Sequence, residues 1–150
     1  MRKNRFALVT GLALTVLPAA AADGMIQMKS AHSVKASIDR LEALVKDKGM
    51  TIFARIDHAA GAEQAGENLR PTELLIFGSP KVGTALMHCR QSLGMDLPLK
   101  ALAWRDENGQ VWIAYNDVTY LAQRHGVPGC APVPKVQKAV SGFIEAAAAP

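Results

Sequence analysis

The apolar positions of this chain alternate between a period of two and a period near 3.6, so strands and helices are interleaved along it. From Met25 to His32, Ile26 and Met28 alternate with Gln27 and Lys29, which predicts a strand. Ser33 is placed to cap a helix whose stripe is Val34, Ile38, Leu41 and Val45, and Lys46, Lys48 and Gly49 close it as a C-terminus should. Met50 to His58 returns to period two, with Ile52, Ala54 and Ile56 expected on one face. Ala59 to Gly66 predicts a short helix weakened by Gly61. Thr72 to Phe77 predicts a strand, and Lys81 to Leu93 a helix with Val82, Ala85, Leu86, Cys89 and Leu93 turned inward. Leu99–Arg105 and Gln110–Asn116 flank Asp106-Glu107-Asn108-Gly109, a hairpin signal. Asp117 is placed to cap a short helix ending near His125-Gly126. The last helix carries Val136, Val140, Phe143 and Ile144 and is expected to fray over Ala146 to Pro150.

Strands and helices mixed in this order predict an α+β domain: a single antiparallel or mixed sheet of about five strands with helices packed on it. The domain is expected over residues 23–127, a stiff Pro/Cys linker over 128–134 and a C-terminal helix over 135–150. No internal repeat interrupts this organisation.

The start of the chain has a different character. Arg2-Lys3-Asn4-Arg5 precedes an apolar run from Phe6 to Leu17, then Pro18 and four alanines before Asp23. That is the pattern of a cleaved signal peptide over residues 1–22 and predicts a periplasmic or secreted protein. The run is short of the roughly 20 apolar residues that a membrane span needs, and no later stretch supplies them. The leader also explains the charge. The formal net charge is +4, but Arg2, Lys3 and Arg5 supply most of the excess, and the remainder is nearly neutral. A neutral domain lacks the footprint for nucleic acid or an anionic membrane surface. At 150 residues, 49% hydrophobic and 20% charged, the chain is an ordinary single globular domain rather than a disordered or multi-domain one.

Export changes how the two cysteines read. Cys130 lies in the Pro128-Gly129-Cys130-Ala131-Pro132 stretch and Cys89 on a predicted helix. An oxidising compartment permits a Cys89–Cys130 disulfide, and two unpaired cysteines are the alternative.

No catalytic motif is found, and no cofactor is expected. Leu74-Leu75-Ile76-Phe77-Gly78 leads into Ser79-Pro80-Lys81-Val82-Gly83-Thr84, which superficially resembles a nucleotide loop. Such a loop needs Lys directly after the second glycine, whereas Thr84 follows Gly83 here. A strand-to-helix turn with Ser79 at the cap and Pro80 at the first helical position accounts for every residue. A weaker reading keeps Ser79, Lys81 and Thr84 as a seat for a small anion. On the hairpin, Lys100, Leu102 and Trp104 are expected to share a face with Val111, Ile113 and Tyr115. That would gather Lys100, Tyr115 and Asn116 at one end of an apolar face, as the polar rim of a pocket, with His58 nearby. The plainer alternative has Lys100 snorkelling out and Tyr115 bonding a carbonyl.

The four histidines, at 32, 58, 88 and 125, show no metal-ligand spacing. His88 with Cys89 is a soft-ligand pair that leaves copper-type binding as an alternative, although helix neighbours diverge. Asp57 and His58 end a strand where a hydrolase base could sit. Glu63, Glu67 and Glu73 read as solvated loop charges.

Ile56-Asp57-His58-Ala59-Ala60, Leu69 through Thr84, Leu86-Met87, Asp96 through Leu102, Trp112 through Asp117, Tyr120-Leu121 and Arg124-His125 together resemble the domain-of-unknown-function family 302. The resemblance covers about residues 25–126. It implies a small α+β domain with a curved antiparallel sheet, TATA-binding-protein-like, and a homodimer. The family has no established reaction, so no catalytic residue carries over. Ala85 stands where the family tends to have proline, and Cys89, Cys130 and the tail are particular to this chain, so the family implies no disulfide. The function expected is an exported module that binds a small anionic or amphipathic ligand, or a protein partner, as a homodimer.

Overall fold

The computed structural model describes residues 24–150; the expected signal peptide lies outside them. Five strands, β1 (Met25–Lys29), β2 (Thr51–Asp57), β3 (Thr72–Gly78), β4 (Leu99–Arg105) and β5 (Val111–Asn116), form one sheet in the order β1-β5-β4-β3-β2. Every neighbouring pair is antiparallel. The helices are α1 (Val34–Asp47), α2 (His58–Gln64), α3 (Pro80–Cys89), α4 (Val118–Arg124) and α5 (Val133–Ala148), with a 3-10 turn at Gln91–Met95. The α+β expectation holds.

Caps fall where the side chains allow them. Ser33 Oγ accepts from Ala36 N at 3.2 Å and Asp117 Oδ1 from Thr119 N at 2.8 Å. Ser79 occupies the cap position of α3, but its hydroxyl makes no capping bond.

Helices α1 and α5 pack together on one sheet face. Beneath them lie Leu75 and Phe77 of β3, Ala101 and Ala103 of β4, and Ile113 and Tyr115 of β5, all essentially buried. The opposite face carries Leu74 and Ile76, then Lys100, Leu102 and Trp104, then Trp112. These side chains are half-buried.

Two strand faces differ from the expectation, each because one extra residue shifts the parity of pairing. At Phe53 the register slips: Ile52 pairs with Phe77, but Ala54 pairs with Ile76. This bulge turns Ile52 toward the helices and Ala54 and Ile56 away from them. At the hairpin, Arg105 pairs with Val111, leaving five residues in the connection rather than the four from Asp106 to Gly109. Gly109 takes φ +82, and Asp106 Oδ1 accepts from the N–H of Asn108 and of Gln110, each at 2.9 Å. The result pairs Tyr115 with Ala101 and Ile113 with Ala103. Tyr115 therefore stands on the helix face, not beside Lys100 and Trp104.

The carboxyl-terminal part also differs. Helix α5 begins at Val133, inside the expected linker, with Pro134 in its first turn. Its end does not fray: Ala147 and Ala148 are buried, and Ala31 N donates to Ala148 O at 2.9 Å. Helix α3 stops at Cys89, and Arg90 is extended. Leu93 reaches the core from the 3-10 turn, not from a continued helix.

Candidate functional site

An apolar pocket of about 320 Å³ opens between α3 and the sheet end where β3 finishes. Its walls come from several elements: Met50 and Phe53 around β2, Val82, Leu86 and Met87 of α3, Leu97-Pro98-Leu99 before and at the start of β4, and Val136 of α5. The bulge at Phe53 helps to build it, since that residue sits at the register shift and is half exposed. Gly83 leaves room at the wall: a Cβ there would stand 3.9 Å from Leu97 Cδ1. Ser79 and Thr84 belong to the lining, whereas Lys81 does not. A pocket of this composition selects by shape and apolar contact, with two hydroxyls to orient a polar end.

The remaining expected site residues separate. Lys100 Nζ donates to Asp96 O at 3.3 Å and Pro98 O at 3.2 Å, so the lysine braces the loop that forms one pocket wall. Tyr115 OH lies on the other sheet face and accepts from Gln137 Nε2 at 3.2 Å. Gln137 Oε1 in turn accepts from Val118 N at 2.8 Å, which ties α5 to the start of α4. Asn116 is exposed at the end of β5 opposite Met25. His58 is exposed at the far end of β2, about 20 Å of strand from the pocket mouth. The amine and the phenol share no pocket rim, because the hairpin parity puts them on opposite faces.

The other candidate groups are engaged elsewhere. Asp57 Oδ1 accepts from Ala60 N at 3.0 Å as the cap of α2, so it orients no histidine. Cys89 is bonded to Cys130, with Cα atoms 5.9 Å apart. That consumes the thiolate a soft metal would need from the His88–Cys89 pair, and among the described residues no group of three or more His, Cys, Asp or Glu is placed to hold a metal ion. The disulfide joins the end of α3 to the segment before α5, the two helices that contribute Leu86, Met87 and Val136 to the pocket.

Glu73 is not a solvated loop charge. It is buried on β3 beneath α1 and bonded by Arg55 Nε. Arg55 Nη1 also meets Asp39 Oδ1 at 2.7 Å and Glu42 Oε2 at 3.0 Å. The three carboxylates, Glu73 foremost, hold the guanidinium pKa above its usual value. This cluster fastens α1 to the sheet.

Residues 26–147 match the family described as Domain of unknown function DUF302. The chain belongs to that family. The DUF302 match extends to residue 147, within α5 and beyond the motifs that end at His125. A crystal structure of an uncharacterized conserved DUF302 protein from Bacillus stearothermophilus superposes with a TM-score of 0.75 at 17% identity, covering 84% of this chain and 99% of that one. It shows the shared fold. Among curated proteins, this chain is 50% identical over 104 residues to the "Fluoride-specific ion channel FluC 1" of Brucella suis biovar 1. The protein of the same name from Brucella abortus biovar 1 matches equally, at 50% over 104 residues. The match takes in 69% of this chain but 41% and 38% of those relatives, so the chain spans about two fifths of their length.

The pocket residues outside α3 carried no local signal in the sequence. Phe53, Leu97 and Val136 are separated by dozens of positions and meet only through the sheet and α5.

Proposed function

We propose that this DUF302 domain is a binding module that holds a small apolar or amphipathic molecule in the pocket beneath α3. The observation that carries the reading is the pocket's lining: aliphatic, aromatic and methionine residues, with Ser79 and Thr84 as its hydroxyl-bearing members and no cationic residue. That lining favours an apolar guest with a hydrogen-bonding end over a small anion. The disulfide supports an oxidising, periplasmic or secreted setting after removal of residues 1–22. The module works as a homodimer in this reading. Its support is the half-buried sheet face opposite α1 and α5, where Leu74, Ile76, Leu102, Trp104 and Trp112 surround Lys100, a largely apolar patch of the kind that marks interaction surfaces.

Fluoride conduction is not carried over from the curated relatives. A bilayer is crossed by long apolar helices or by closed barrels. Among the described residues no helix is long and apolar enough to cross a membrane, and the sheet ends in two unpaired edges, β1 and β2.

The test uses N-phenyl-1-naphthylamine as a neutral apolar probe. Saturable binding of one probe per chain is expected, abolished in Gly83→Leu, whose side chain fills the pocket, while its melting temperature is retained. Absence of binding, or equal binding by Gly83→Leu, overturns the pocket reading. Sedimentation velocity tests the dimer: twice the monomer mass for wild type and the monomer for Trp104→Glu are expected, and a monomeric wild type overturns it.

A further inference from the structure

Ser92, His125 and Asp96 form a hydrogen-bonded chain where the 3-10 turn and the loop after it meet the end of α4. Ser92 Oγ lies 2.8 Å from His125 Nδ1, and His125 Nε2 lies 2.7 Å from Asp96 Oδ2. Asp96 Oδ1 also accepts from Arg124 Nη1 at 3.0 Å, so both carboxylate oxygens are engaged and its orientation is determined. The histidine backbone is pinned as well: its N–H donates to Leu121 O at 3.1 Å, and its carbonyl accepts from Arg90 Nε at 3.2 Å. The imidazole is only 10% exposed and the aspartate 13%, whereas the serine is exposed to solvent.

A carboxylate on Nε2 favours the tautomer that carries its proton there, which leaves the Nδ1 lone pair facing the serine hydroxyl. A nucleophile, a base within hydrogen-bond reach and a group orienting that base supply the nucleophilic half of an acyl-transfer site. The two ring nitrogens exchange their usual assignments, but either lone pair can accept a proton.

We propose that Ser92, His125 and Asp96 make up an acyl-transfer site that hydrolyses esters of small apolar acyl groups. Ser92 Oγ attacks the ester carbonyl carbon as its proton passes to His125 Nδ1. The carbon–oxygen bond to the alcohol then breaks, and that alcohol leaves with the proton. Water repeats the sequence on the acyl-serine, releasing the carboxylic acid and restoring Ser92. Asp96 is a positioning residue acting through the imidazole. The acyl preference rests on the pocket reading: the same 3-10 turn lends Gly94 to the pocket, and Leu97 directly follows Asp96 in its wall.

The test treats the full chain with a small alkyl fluorophosphonate and maps the adduct by mass spectrometry. It also follows release of p-nitrophenol from its acetate, butyrate and hexanoate esters. One adduct on Ser92 is expected, absent from Ser92→Ala, which keeps the wild-type melting temperature because that side chain is exposed. His125→Gly is expected to slow ester release at least roughly 100-fold, with partial recovery on adding imidazole to the buffer. Asp96→Asn is expected to lower kcat with little change in KM. No adduct on Ser92, or undiminished release by Ser92→Ala, overturns the proposal. A Ser92 adduct with no chain-length preference and no effect of Gly83→Leu supports the acyl-transfer site and overturns the pocket's part in it.

Discussion

Arg55 on β2 and Glu73 on β3 are bonded side chain to side chain beneath α1, where the glutamate is only 11% exposed. The arrangement exists because the bulge at Phe53 turns Arg55 inward. Removing the guanidinium would leave a buried carboxylate without its partner, which costs more than losing a surface pair. Arg55 itself is 27% exposed, so solvent recovers part of the loss. Arg55→Met is expected to lower stability by about 2 kcal/mol, measured from the urea midpoint, and Glu73→Gln in the same chain to restore part of it.

The same cluster sets a dependence on pH. Hydrogen bonds from Lys35 and then Arg55 hold the Asp39 carboxyl below its usual range, and Lys46 and then Arg55 do the same for Glu42. A hydrogen bond from the Trp112 indole, ahead of two backbone amides, lowers Asp106. Carboxylates depressed in the folded state stabilise it above their unfolded pKa and lose that contribution as pH falls through the folded value. The melting temperature is expected to be level above about pH 5 and to fall below about pH 4.5. In Arg55→Met the fall should be shallower, which a thermal-melt series across that range checks.

Arg40 on α1 fastens the end of α5. Its Nε donates to Ala147 O at 3.2 Å, and its Nη2 to Ala146 O and Ala149 O at 3.1 and 3.2 Å. Those carbonyls lie at a helix terminus, where no intrahelical donor can serve all of them. Arg40→Ala is expected to cost about 1 kcal/mol and to speed amide exchange over the last turn of α5, read by hydrogen–deuterium exchange.

The Cys89–Cys130 disulfide spans a sequence separation of 41 residues. On the chain-entropy account, a loop of that length stabilises the fold by about 4 kcal/mol. Reduction, or the Cys89→Ser/Cys130→Ser double variant, is expected to lower the urea midpoint accordingly. Both treatments should also weaken binding of the naphthylamine probe, because the bridge couples two helices that line the pocket.

Gly24 admits no side chain. Its φ is +79, and a Cβ would lie 2.1 Å from Tyr120 Cδ1. The contact involves the ring itself, so α4 would have to yield. Gly24→Ala is expected to destabilise by roughly 2 kcal/mol, and adding Tyr120→Ala should recover the steric part, leaving the backbone penalty visible in the melting temperature.

The local elements were legible because their causes are local. Ser33 caps α1, the stripe from Val34 to Val45 buries it, and Pro80 opens α3; each acts within a few residues of itself. The antiparallel α+β order follows from those elements and the short connections between them. Family membership, too, was readable from motifs such as Asp96-Leu97-Pro98-Leu99, and the cysteine pairing stood open until the fold brought α3 to the segment before α5.

Which face a strand residue occupies belonged to tertiary structure. One inserted residue at Phe53 and one at the Gly109 turn each reverse the side on which subsequent residues fall, since strand side chains alternate with period two. Composition cannot register such an insertion, but pairing partners do. That parity buried Arg55 with Glu73, parted Lys100 from Tyr115, and left the pocket to be assembled from chain segments that only the folded sheet brings together.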